Sequence, residues 1–425
     1  MKKIMAMALA FICLVNLGAL SMTGHDVAQP FDSQEELKKF DFSLPLTANQ
    51  KEWIDQCSIS VVIIGPGNPL YSWFGHAGII IKQPNGQSIM YDYGIFDSSQ
   101  KGFYLNFARG RMLYNVYVTD ADWRIEDAIS EGRQVERYDL NLNDSAKFQV
   151  VKFLQKNTLQ ENNTYLYHFY KDNCATRIRD ILNSATLGDF ERWARSKDSK
   201  GTFRSYAQRS LGHQKFISWY LNFLESGLID TPITLWNEMF LPQSLGNAIA
   251  KYEPFNATCT VLNEQTDAIA FHPDTHAATD SWPYLLFGLV FSLSCVFLQR
   301  HDMKKTWKIV NFLMLLFLGI SGTLLFYMMC FSDMDVTWFN ESILFINPFL
   351  LFLAFQDLGK NTEKVHTAMR TLSFIMFFYL IFKGIFSDVL IQDNMRTIFV
   401  VLPYYLTGFV KDGLPGRRKA HTNQD

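Results

Sequence analysis

An excess of charge of either sign is the first thing this chain lacks. Its 425 residues carry 39 Lys and Arg against 41 Asp and Glu, a formal net charge of −2. Without a basic surplus there is no electrostatic footprint for nucleic acid, and none is expected as a partner. The small residues expected before a lipidated cysteine are missing before Cys13, which follows Ala-Phe-Ile inside an apolar run; this argues against a lipoprotein-type leader. Polar residues inside the apolar C-terminal stretches are few, Asn311, Ser321, Thr323, Asn347 and Lys383 among them. That scarcity argues against a proton relay and against a pump. Lys383 falls one turn from a helix end, where snorkelling is the simplest expectation.

What is present is unevenly spread. Lys2 and Lys3 precede an apolar run, and Ala19-Leu20-Ser21 offers small residues for cleavage. Residues 1–21 therefore read as a secretory signal peptide. Residues 22–280 have the composition of an ordinary exported domain, long enough for one sizeable core or two small ones. Residues 281–411 hold about five apolar stretches, at 282–298, 309–331, 343–355, 372–386 and 398–410. The second easily meets the roughly 17–25 residues a spanning helix needs, whereas the third and fifth are short. Asn347-Pro348 is placed to break the third. The basic segment at Arg300, Lys304 and Lys305, the connection carrying Lys360, Lys364 and Arg370, and the tail at 412–425 alternate with residues 332–341, which hold Asp333, Asp335 and Glu341 without Lys or Arg. By the positive-inside rule the tail is cytoplasmic and the exported domain periplasmic, as a multi-pass inner-membrane protein requires.

Of six cysteines, Cys13 belongs to the leader and Cys295 and Cys330 to apolar stretches. Cys57, Cys174 and Cys259 remain outside, an odd number that leaves a thiol over whether or not Cys57 and Cys259 are bridged. Cys174 has the most informative setting. From Ala175 a helical pattern places Ile178, Ile181 and Leu182 on one side, and Asp172 or Asn173 suits the N-cap. Cys174 then lies in the first turn, where the helix dipole favours a thiolate and backbone N–H groups are available to an oxyanion. A neighbouring imidazole would make it a Cys/His nucleophile; the competing reading is a buried structural cysteine.

A histidine of suitable setting occurs earlier. Residues 58–64 form a β-branched strand, 65–69 a Gly/Pro loop, and Gly75-His76 opens a second strand to Lys82. Asn85-Gly86 reads as a two-residue type I′ hairpin turn leading into a third strand from Ser88. That register pairs His76 with Ile95 and Gly78 with Tyr93, so His76, Tyr91 and Tyr93 share a face. Tyr93 is thus the candidate to orient the imidazole, the alternative being a cross-strand packing role. His25, His168, His213, His272 and His276 lack such a setting.

The residues Tyr71-Ser-Trp-Phe-Gly-His76, Tyr91-Asp-Tyr-Gly-Ile-Phe-Asp97, Asn106-Phe-Ala-Arg-Gly110 and Asp172-Asn-Cys-Ala-Thr-Arg-Ile-Arg-Asp180 resemble the Lnb N-terminal periplasmic domain family. The likeness covers about residues 50 to 250, including Phe240-Leu-Pro242, and the multi-span half fits it. The order His-strand then Cys-helix also looks like the circularly permuted NlpC/P60, papain-like group. The resemblance implies an α+β fold: a permuted papain-like exported domain beside an all-α membrane domain. It further implies a lipoprotein N-acyltransferase with His76 and Cys174 as catalytic residues. Such an enzyme moves an acyl chain from a phospholipid, through a Cys174 thioester, to the α-amino group of a diacylglyceryl-cysteine lipoprotein, with no metal or other cofactor required. Two other classes share these features: a cell-wall amidase or endopeptidase using the same pair, and a non-enzymatic membrane assembly factor.

Overall fold

The computed structural model describes residues 31–97, 99, 102–211, 214–266, 280–301, 303–358 and 362–410. The signal-peptide expectation for 1–21 and the tail at 412–425 lie outside them. The chain divides into two compact units, one built from 22–218 with 231–278, the other containing 219–230 and the chain from 279 onward.

In the first unit the expected strands form as β1 (Ser58–Ile64), β2 (His76–Lys82) and β3 (Ser88–Ile95), followed by β4 (Leu113–Asp120), β5 (Val135–Leu140), β6 (Thr164–Leu166) and a later β7 (Thr258–Asn263). They make one antiparallel sheet in the order β6-β4-β3-β2-β1-β5-β7. The unbroken β-branched run of β1 suits a central strand buried on both faces. One face packs Ile59, Val61, Ala77, Ile79 and Tyr93 against Ile178 and Leu182 of the Cys174–Ala185 helix. The other packs Val62, Ile64, Ile80 and Met90 against Ala121, Ile125 and Ala128 of the Ala121–Ser130 helix. A seven-stranded sheet with helices on its faces is the α+β organisation expected.

The hairpin between β2 and β3 differs from the expected type I′ turn. Gly86 N donates to Gln83 O at 2.9 Å and Gln83 N to Gln87 O at 2.9 Å. The loop is therefore three residues, Pro84-Asn85-Gly86, with only Gly86 at positive φ (86°). Pro84 is the cause. Its fixed φ suits position i+1 of a type I turn, and Gly86 then takes the left-handed position that closes a three-residue loop. The register moves by one residue, pairing Gly78 with Asp92 and Ile79 with Tyr91. A one-residue shift exchanges the two faces of a strand.

In the second unit, helices Trp282–Arg300, Lys304–Phe331 and Thr362–Ile385, together with the segment Glu341–Leu358, are long and apolar enough to cross a membrane. The third span is broken as expected: a 3-10 turn at Glu341–Leu344 ends before Asn347-Pro348, and an α-helix begins at Phe349. The fifth apolar stretch forms only the 12-residue helix Met395–Leu406 and a 3-10 turn, Thr407–Phe409. So four described segments, not five, reach spanning length. Lys383 does not snorkel; its Nζ donates to Glu341 Oε2 at 3.1 Å and Leu390 O at 2.6 Å.

The boundary expected at 280 is interrupted once. Trp219, Phe223 and Leu224, from the apolar Lys215–Leu224 helix, join the core of the membrane helices. Asn340 Nδ2 donates to Phe223 O at 2.8 Å, Gln392 Nε2 to Glu225 O at 2.9 Å, and Ser226 N to Val336 O at 2.7 Å. An unpaired backbone group in an apolar core is costly, so these bonds, two from side chains and one between backbones, satisfy the end of the Lys215–Leu224 helix.

Candidate active site

Cys174 is the first residue of the Cys174–Ala185 helix. Its N-cap is Asn173, whose Oδ1 accepts from Ala175 N and Thr176 N at 2.9 Å each, while Thr176 Oγ1 accepts from Asn173 N at 2.7 Å. Asn173 Nδ2 is held in turn by Phe169 O and Phe240 O at 2.8 and 3.0 Å. This capping box fixes the thiol's position. It also narrows the expectation of free first-turn amides, because two of them are consumed by the cap.

His76 begins β2, immediately after Gly75, whose φ is 78°. A Cβ at Gly75 would lie 2.8 Å from Ile64 O, so only glycine lets the chain turn so close to β1. The Cys174 side chain lies close enough to the imidazole to act on it electrostatically, and the imidazole Nε2 bonds Asp92 Oδ1. With Nε2 committed to Asp92, Nδ1 is left for the thiol. The sequence alone does not single out Asp92. The observed register puts it on the His76 face, in the place expected for Tyr93, with 1% of its side chain exposed. Arg124 Nε donates to the other carboxylate oxygen, Asp92 Oδ2, at 3.1 Å, and Arg124 Nη1 to Asp127 Oδ2 at 3.2 Å.

Burial works against the His76 imidazolium, but the Asp92 carboxylate, then Cys174, outweigh it and lift its pKa to about 10. Burial likewise opposes the Asp92 carboxylate, and His76 with Arg124 nevertheless holds it below the usual carboxylate range. The order Cys174, His76, Asp92, Arg124 thus sets a thiol beside a cationic imidazole that a buried acid orients.

The expectation for Tyr93 is corrected. Its side chain lies on the opposite face of the sheet, and its hydroxyl donates to buried Asn157 Oδ1 at 2.7 Å. It packs edge-on against Tyr165, ring centroids 6.3 Å apart. Tyr93 therefore does not touch the imidazole. His168 is accounted for locally: its Nδ1 accepts from Tyr170 N and Lys171 N, both at 3.1 Å. Cys57 and Cys259 are both free thiols, so no bridge joins them.

Tyr165 faces the Cys174 region instead. Tyr165 is buried, and its hydroxyl has no hydrogen-bond partner among the described residues. Gly94, at φ 91°, forms a bulge in β3 between Tyr93 and Ile95. A Cβ there would lie 3.7 Å from Cys174 Cβ and 3.8 Å from Tyr165 Oη, so the bulge faces both side chains. The Arg177 guanidinium lies 3.6 Å from the Tyr165 ring centroid and is gripped by Asp172 through bonds of 2.6 and 2.8 Å. Burial keeps the Tyr165 hydroxyl protonated far into the alkaline range. The tyrosine-rich run before Cys174 was the visible signal, but nothing in it singles out Tyr165 from Tyr167 or Tyr170.

Two family models match the chain. The Lnb N-terminal periplasmic domain matches residues 48–208, and the Lnb transmembrane domain matches residues 280–410. No curated protein and no solved structure matches the chain. Matched across both its periplasmic and its membrane half, the chain belongs to the Lnb family, as a multi-pass inner-membrane protein with a periplasmic domain.

Proposed function

We propose that this protein is a thiol-dependent lipoprotein N-acyltransferase. Membership of the Lnb family makes it part of a group of lipoprotein-modifying membrane enzymes; the specific reaction is inferred. The observation that carries the inference is the Cys174–His76–Asp92 chain at a capped helix start. It supplies a nucleophile, a proton carrier and an orienting acid, the set acyl transfer requires.

In the first half-reaction the Cys174 sulfur attacks a phospholipid ester carbonyl. The oxyanion is stabilised by the Tyr165 hydroxyl and by Cys174 N, which the Asn173 cap leaves unused. As the tetrahedral intermediate collapses, the ester C–O bond breaks. The His76 imidazolium gives its proton to the leaving alcohol, releasing a lysophospholipid and leaving an acyl thioester on Cys174. In the second half-reaction the α-amine of a diacylglyceryl-cysteine attacks the thioester. The C–N bond forms, the C–S bond breaks, and neutral His76 takes the amine proton, restoring the thiolate–imidazolium pair. Asp92, fixed by Arg124, keeps the ring aligned throughout.

Four membrane-length segments suit two substrates that never leave the bilayer. A cell-wall hydrolase could use the same dyad, but a soluble substrate gives no reason for that anchor. The direct test is mass spectrometry of a lipoprotein N-terminus from cells with and without this protein, in a background lacking other N-acyltransferases. One added amide-linked acyl chain, dependent on Cys174, is expected. An unmodified amine in the presence of the protein would overturn the reading.

A further inference from the structure

The Gly94 bulge also redirects the side chain two residues on. Without it Phe96 would alternate away from Tyr93; with it, Ile95 pairs with Asn115 and Phe96 turns to the face that carries Tyr114. Phe96 stacks on Tyr114 at 4.8 Å between centroids, and Tyr114 stacks on Tyr167 at 4.3 Å. Tyr167 lies within electrostatic reach of Cys174. In the outward direction Phe96 stacks on Phe103 at 5.7 Å and meets Tyr71 edge-on at 6.1 Å. There the stripe reaches the surface, where Tyr71 is 70% exposed and the short Phe103–Ala108 helix leaves Leu105 and Phe107 at 51% and 47%. The rings Tyr167, Tyr114 and Phe96 are themselves half-buried.

We propose that this aromatic stripe, from Tyr167 beside the thiol through Tyr114 and Phe96 to Tyr71 and Phe103, holds the acyl chain of the donor phospholipid. The inference rests on the acyl-transfer reading and adds a binding site to it. Three features select an acyl chain as the occupant. Phe96 lies two residues beyond Gly94, where a Cβ would sit 3.7 Å from Cys174 Cβ, so a chain lying on the stripe presents its end to Cys174. Phe96 and Phe103, the rings of the outer half, carry no hydrogen-bonding group, which gives a sugar or a peptide little to bind there. The open end is apolar at the surface of a protein anchored in a bilayer, where exposed apolar area marks an interaction site. Such a stripe acts as a measure of chain length: side chains that fill it discriminate against longer chains.

The test uses full-length protein reconstituted in vesicles containing equal amounts of dilauroyl- and dipalmitoyl-phosphatidylethanolamine, without an amine acceptor. Intact-protein mass spectrometry reads the ratio of C16 to C12 adducts on Cys174. Both donors compete for the same molecules, so any loss of folded protein cancels from the ratio. Phe96→Trp narrows the stripe and should lower the C16:C12 ratio about ten-fold, the low end of what a hydrophobic pocket achieves by excluding a methylene. Leu159→Ala, an exposed apolar residue off the stripe, should leave the ratio at the wild-type value. Adducts in an unchanged ratio with Phe96→Trp, or an equal shift with Leu159→Ala, would overturn the stripe while leaving acyl transfer standing. No adduct of either length on wild-type Cys174 would overturn the acyl-transfer reading and the stripe with it.

Discussion

Gly78 and Asp92 face one another across β2 and β3, and this pairing places a buried carboxylate on the imidazole of His76. Asp92→Asn keeps the shape but removes the charge that holds the ring in its cationic form. Acyl-enzyme formation should fall about 10²–10⁴-fold, the usual range for losing general acid–base function. Expression and membrane insertion should be unchanged. Wild-type rates of Cys174 acylation in Asp92→Asn would remove Asp92 from the site.

The pH dependence follows from the same contact. His76 is raised from 6.5 to about 10 in the folded protein. Between those values the folded state holds a proton that the unfolded state has released, so stability falls as pH rises. The contribution is complete below 6.5 and gone above about 10. Asp92 shifts the other way, and its contribution is lost as pH falls through its lowered pKa. The alkaline limb of the acylation rate should therefore lie near pH 10, and in Asp92→Asn it should move down by about one unit or more, as removal of an opposing charge requires. A pH–rate profile of single-turnover acylation reads both limbs. A wild-type limb near 6.5 would contradict the pairing.

Two tyrosines give opposite expectations. Tyr93→Phe strips the hydrogen bond from buried Asn157 and should cost about 1–3 kcal/mol of stability, with turnover per folded molecule nearly unchanged. Tyr165→Phe removes a hydroxyl without a partner among the described residues. It should cost no stability, while acylation falls about 10²–10³-fold if that hydroxyl holds the oxyanion. Thermal unfolding and single-turnover rates, measured on both variants, separate the two roles.

Much of this was legible in sequence, and the rest failed for identifiable reasons. β1, β2 and β3 follow from their β-branched runs, Cys174 at a helix start from the Asn173 cap, and the broken third span from Asn347-Pro348. The His76 partner was not legible, because two- and three-residue loops built on Pro84-Asn85-Gly86 differ by one residue, and that residue decides whether Asp92 or Tyr93 meets the ring. Membership of the 219–230 segment in the membrane unit was hidden because an apolar helix reads alike whichever core receives it. Tyr165 was hidden because a free hydroxyl is a property of packing, not of spacing.

Gly94 is the position where the backbone itself is committed. Any side chain there must adopt φ near 91°, at a cost of about 1–2 kcal/mol, and its Cβ meets both Cys174 and Tyr165. Gly94→Ala should lower the unfolding midpoint and reduce acylation more than the stability loss alone accounts for. A variant with the wild-type acylation rate per folded molecule would show that the bulge does not set the approach of thiol and phenol.

In the proposed mechanism Cys174 carries the acyl chain. Full-length protein in phospholipid vesicles, given no amine acceptor, should accumulate a single acyl chain on Cys174, released by hydroxylamine and consumed when a diacylated lipopeptide is added. Cys174→Ala and His76→Ala should each show no adduct, and the double variant should be no worse than either, because the two residues act as one unit. Triacylated lipoprotein made by Cys174→Ala, in cells lacking other N-acyltransferases, would contradict the mechanism.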